Sequence, residues 1–90
     1  SSIQAPNFTG AYVPNLNDVG STTISQVSGI GMHYASEIVN VRNSSGPFSS
    51  PVAFRNAMNR SRRGAVEITP EFRAAISAVV SAIAANRLAL

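Results

Sequence analysis

Ser28-Gly29-Ile30-Gly31-Met32-His33 is the stretch of this chain best suited to hold a ligand. Two glycines around one apolar residue make a tight turn, and the residues that follow read as the start of a helix. The first turn of a helix leaves its backbone N–H groups unpaired and carries the positive end of the helix dipole. A sulfate, carboxylate or phosphate is the natural guest of such a turn. Arg60, Arg62 and Arg63 form the only basic cluster, and their guanidinium groups can grip phosphate oxygens in pairs. His33 adds a ring N–H donor. Each feature also has a plain structural reading. The glycines can serve only to turn the chain between packed helices with Ile30 as a buried plug, the arginines can be merely solvated, and His33 merely exposed.

The rest of the composition removes other chemistries. Ninety residues support one small domain, so most apolar positions are needed for its core. There is no cysteine, and the four acids Asp18, Glu37, Glu67 and Glu71 are scattered, as is the single histidine. No metal-ligand spacing results, and no cofactor is expected. All seven basic residues are arginine, so no lysine amine is present for Schiff-base chemistry. With no nucleophile–base pair to assemble, an enzyme is the most distant reading. The net charge of +3 suits an anionic partner, although the excess is modest. No run approaches the ~20 apolar residues of a membrane span.

The elements that must position these residues are mostly helical. Residues 1–14 hold two prolines, a glycine and no periodicity, which predicts an extended arm. Asn15, Asn17 and Asp18 are placed to fix the next segment through side-chain-to-backbone bonds. Ala35, Ile38, Val39 and Arg42 recur at helical intervals and predict a helix from about Met32 to Asn43, closed by Gly46-Pro47. Arg42 near its end complements the dipole. A further helix is predicted from about Ser50 to Asn59, with Ser49 or Ser50 as cap, Pro51 in the first turn, and Val52, Phe54 and Met58 available for burial. Arg60 to Ile68 reads as a connector. Thr69 as cap, Pro70 at the first position and Glu71 in the first turn then open the strongest helix, running to about Arg87 with the stripe Phe72, Ile76, Val79, Val80 and Ile83.

Asn15-Leu16-Asn17, Ser28-Gly29-Ile30-Gly31, Val41-Arg42 and Gly46-Pro47-Phe48 follow one another in an order that resembles the helix-hairpin-helix domain of the ComEA competence DNA-uptake family. The likeness runs from Asn15 to Met58. It implies an all-α, compact domain over residues 15–90, and it implies a first helix from Gly20 or Ser21 to Ser28. By itself that segment reads as a strand, because Thr22, Thr23, Ile24 and Val27 are β-branched. Relatives carry a second Gly-Ile-Gly hairpin after the third helix. Here Asn59-Arg60-Ser61 and Ile68-Thr69-Pro70 stand in that region, so a degenerate or enlarged second hairpin is expected, with a long C-terminal helix behind it. The implied function is sequence-independent binding of double-stranded DNA, with Gly29, Ile30, Gly31, Met32 and His33 holding phosphates and Arg60, Arg62 and Arg63 restoring contacts through side chains. The alternative is a helix-hairpin-helix interaction or structural module that has lost nucleic-acid binding and meets a protein partner through the C-terminal helix. That alternative draws on the absence of lysine, the degenerate second hairpin and the apolar last helix, with an interface expected there if the helix projects beyond the core near Asn86-Arg87-Leu88.

Overall fold

The computed structural model describes residues 13–62 and 68–90. Its elements are four helices: α1 at Ser21–Ser28, α2 at Met32–Ser45, α3 at Pro51–Ser61 and α4 at Pro70–Ala84. The all-α reading therefore holds. The arm at residues 1–14 falls almost wholly outside the described residues. So do Arg63 and the rest of residues 63–67; of the region where the degenerate second hairpin is expected, Asn59-Arg60-Ser61 belong to the end of α3 and Ile68-Thr69-Pro70 lead into α4.

α1 forms against its own propensities. Its β-branched residues disfavour a helix, and Gly20 at its start supplies no capping side chain. Packing supplies what propensity lacks. Ile24 is fully buried, and α1 lies against both α2 and α4. Gly29 ends the helix at φ 75°, a left-handed conformation that favours glycine, and its N–H donates to the Ser25 carbonyl at 2.8 Å.

α3 and α4 start where their capping side chains say they should. Ser50 accepts a hydrogen bond from the Ala53 N–H at 3.1 Å and Thr69 does the same for Phe72 at 3.1 Å, each followed by a proline in the first turn. Gly46, at φ 85°, closes α2 with its N–H on the Arg42 carbonyl at 3.0 Å. One core runs through the bundle: Leu16, Ile24, Ile38, Phe54, Met58, Phe72 and Val79 are fully buried within it. Val52 does not join them and is 66% exposed. It sits roughly 200° around α3 from Phe54, so the two cannot share a buried face. Ala57 takes the place expected of Val52.

α4 stops at Ala84, three residues short of the expected Arg87. Asn86 adopts φ 61°, the Arg87 N–H returns to the Ala82 carbonyl at 2.8 Å, and the Asn86 N–H to Ile83 at 3.1 Å. This paired closure is a Schellman turn with asparagine in the left-handed position. It folds the chain back, so the expected projection of Asn86-Arg87-Leu88 does not occur and Leu88 is only 2% exposed. Ala89 then meets the start of the domain in an isolated parallel bridge with Asn15. The Leu16 N–H donates to the Ala89 carbonyl at 2.8 Å and the Ala89 N–H to Pro14 at 2.9 Å.

Side chains lock the segment before α1. The Asn15 carboxamide oxygen accepts from the Asn17 N–H at 2.8 Å. Asn17 itself reaches the loop before α3, accepting from the Phe48 N–H at 2.7 Å and donating to the Phe48 carbonyl at 3.0 Å. Arg42 donates to the Leu16 carbonyl at 3.1 Å and also to the Val19 carbonyl. Its role is structural, exerted on the approach to α1 as well as through the end of its own helix.

Candidate nucleic-acid interface

The α1–α2 hairpin is built around Ile30, which is 8% exposed and plugs the gap beneath the turn. The Ser25 hydroxyl donates to the Ile30 carbonyl at 2.7 Å and holds the turn shut from below. Gly29, Gly31, Met32 and His33 are exposed above it. Gly29 spends its N–H on α1, so it does not belong among the anion-holding amides. The free run begins one residue later. Among the described residues, the N–H groups of Ile30, Gly31, Met32, His33 and Tyr34 donate to no protein acceptor, and the first bond of α2 is from Ala35 to the Gly31 carbonyl at 3.1 Å. No side chain caps them. Orphan amides at a helix start, reinforced by the dipole, attract an anion.

The two glycines do different work. Gly29 needs its left-handed backbone. Gly31 has φ −70° and ψ 159°, extended values open to any residue, and a Cβ there would touch nothing within 4 Å. Folding does not require glycine at 31; close approach by another molecule would.

A shallow cleft of about 300 Å³ adjoins the hairpin, lined by Gly29, Ile30, Gly31 and Tyr34 on one side and by Glu71, Ala74, Ala75 and Ala78 of α4 on the other. Tyr34 and Glu71 are not legible as site residues in the sequence. Tyr34 is half-buried, with His33 packed edge-on at 5.1 Å between ring centroids. Glu71 brings a carboxylate to the cleft's rim, where it opposes an incoming phosphate.

The basic cluster divides. Arg60 is exposed near the end of α3, and Arg63 lies outside the described residues. Arg62 turns inward and is 7% exposed, which corrects its assignment to phosphate binding. Its guanidinium donates twice to Glu37, at 2.8 Å from Nε and 2.6 Å from Nη2, and lies 4.2 Å from the Phe72 ring centroid. The Glu37 hydrogen bonds raise its pKa, against the opposing effect of burial. A bidentate pair capped by an aromatic face is a structural use of arginine.

A hairpin of this geometry between two helices, with a third helix following, invites comparison with known motifs. Residues 14–57 match the helix-hairpin-helix motif. No curated protein and no solved structure shows significant similarity to the chain. The helix-hairpin-helix segment thus covers α1, the hairpin, α2 and most of α3, with α4 completing the core beyond it.

Proposed function

We propose that the chain is a sequence-independent DNA-binding module that holds backbone phosphates on its hairpin, as its resemblance to the ComEA family implies. The observation that carries this reading is the run of unpaired amides from Ile30 to Tyr34 around a glycine that the fold does not require. The general association of the helix-hairpin-helix motif with nucleic acid supports the ligand class. In this reading the N–H groups of Gly31, Met32 and His33 hold phosphate oxygens, Ile30 anchors the turn, and Arg60 adds electrostatic attraction. Amides on phosphates read no bases, so affinity is weak, ~10⁻⁴–10⁻⁶ M, and strongly salt-dependent.

Fluorescence anisotropy of a labelled duplex, titrated with the chain at several salt concentrations, tests this. Gly31→Val is expected to weaken binding by ~10-fold or more, equivalent to about 1.4 kcal/mol, without lowering the melting temperature. Glu71→Gln is expected to strengthen binding by removing the carboxylate at the rim. Unchanged affinity in both variants would sink the hairpin's role.

A second reading is a helix-hairpin-helix module that contacts protein. The cleft wall favours it, since Ala74, Ala75 and Ala78 make a smooth apolar surface and Glu71 repels anions. Self-association in analytical ultracentrifugation without DNA, abolished by Ala74→Glu, would support it.

A further inference from the structure

A second cleft, of about 480 Å³, lies between α3 and α4. α3 contributes Arg55 and Asn59, α4 contributes Arg73 and Ser77, and Ile68 and Ile76 also line it. Each helix therefore offers an arginine and, one turn on at i+4, a neutral hydrogen-bonding side chain. The two walls match in chemistry: paired guanidiniums, paired polar groups, and apolar surface between.

Neither arginine has a partner among the described residues. Arg55 and Arg73 are exposed, and neither makes a hydrogen bond or ion pair among the described residues. Helix electrostatics do not explain them either. Arg73 follows Glu71 in the opening turns of α4, and Arg55 lies in the first half of α3, whereas cations are stabilised at the opposite end of a helix. Arg42 and Arg62, by contrast, are committed to carbonyls and to Glu37. Among the described residues the cleft thus holds two cations without a partner, both lining one space.

We propose that this cleft is a second phosphate-binding site, in which Arg55 and Arg73 close from two sides on one backbone phosphate of duplex DNA and Asn59 and Ser77 bond its oxygens. The proposal rests on the reading of the chain as a nucleic-acid binder. Half-buried Ile68 would face the sugar, above the buried Ile76. On α4, Arg73, Ile76 and Ser77 occupy the side opposite Glu71, Ala74, Ala75 and Ala78, so the two clefts flank one helix of ~10–12 Å diameter. Phosphates on either side of a DNA groove, ~6–12 Å wide, lie at a comparable separation. The arginine cleft would then supply the second grip that a second Gly-Ile-Gly hairpin gives in relatives.

The test uses the full chain with a 20-base-pair duplex, following backbone amides and arginine Nε–H signals by NMR. Salt-dependent binding of Arg55→Gln/Arg73→Gln is measured beside Arg87→Gln, a control at an exposed arginine lining neither cleft. We expect Arg55 and Arg73 Nε–H signals to shift with duplex, and the double variant to release ~1 fewer counterion while Arg87→Gln leaves the slope unchanged. Thermal melting checks that the variants remain folded. Shifts at the hairpin amides with silent cleft arginines would overturn the site and leave the hairpin reading standing. Shifts in the cleft with silent hairpin amides would support the site and overturn the hairpin's role. Saturation of the cleft by inorganic phosphate or an acidic peptide, with no response to duplex, would overturn the assigned occupant. An equal loss per charge in Arg87→Gln would reduce the cleft to general charge and overturn the proposal.

Discussion

Arg62 shows how far a side chain's role depends on what faces it. Its two hydrogen bonds to Glu37 and its stacking on Phe72 tie α2, α4 and the end of α3 together. Glu37→Gln would remove the negative charge from a carboxylate that accepts two hydrogen bonds from the buried guanidinium. The cost is expected to be about 2 kcal/mol, below that of a fully buried pair because Glu37 retains some solvent contact, and urea denaturation would measure it. Hairpin residues were legible in the sequence because a Gly-Ile-Gly turn is a local signal. The Glu37–Arg62 pair was not, because its members are 25 residues apart and only the packing of α2 against α3 brings them together. For that reason Arg62 reads, from sequence, as one of three phosphate-gripping arginines. Arg55 and Arg73 carry a sequence signal of their own, a cation in the first half of a helix.

Helices with caps written into them were read closely. Ser50-Pro51 and Thr69-Pro70 begin α3 and α4 at the predicted residues, and Gly46 ends α2 just beyond the predicted boundary. Thr69→Ala should remove the bond to the Phe72 N–H and cost about 1 kcal/mol. For a domain of this size that amounts to a fall in Tm of roughly 4–8 °C, which calorimetry would register. α1 shows the opposite case, because its residues favour a strand and its helix depends on Ile24 being buried against α2 and α4. Only the resemblance, not the propensities, anticipated it. At the far end of α4 the expected helix runs three residues past the true stop at Ala84. Asn86 in the left-handed conformation decides the boundary, and periodicity does not register a turn made by one residue's backbone.

Across the whole molecule, the core depends on both ends of the described fold. Leu88 is buried with Leu16, Ile24 and Val79 in one cluster. Leu88→Ala is expected to cost ~2–4 kcal/mol, and hydrogen exchange should show protection falling in α1 as well as α4. Loss of protection confined to residues 85–90 would mean the terminal segment is an appendage. Charge is also distributed unevenly: the hairpin cleft has Glu71 at its rim, whereas Arg55 and Arg73 face the cleft on the other side of α4. Net charge alone, read from the sequence, could not reveal that separation.

The parallel bridge between Asn15 and Ala89 also has a mechanical meaning. Tension applied at the two ends would draw these segments past each other along their length, because parallel neighbours with opposite free ends are loaded in shear. The Leu16–Ala89 and Ala89–Pro14 hydrogen bonds would then bear the load together, with no free end from which to peel. Leu16 and Leu88, seated beside this seam, would have to leave the core as it slips. Under a pull, the seam would shield the hairpin: the amides of Ile30 to Tyr34 would keep their arrangement until the two ends of the domain part.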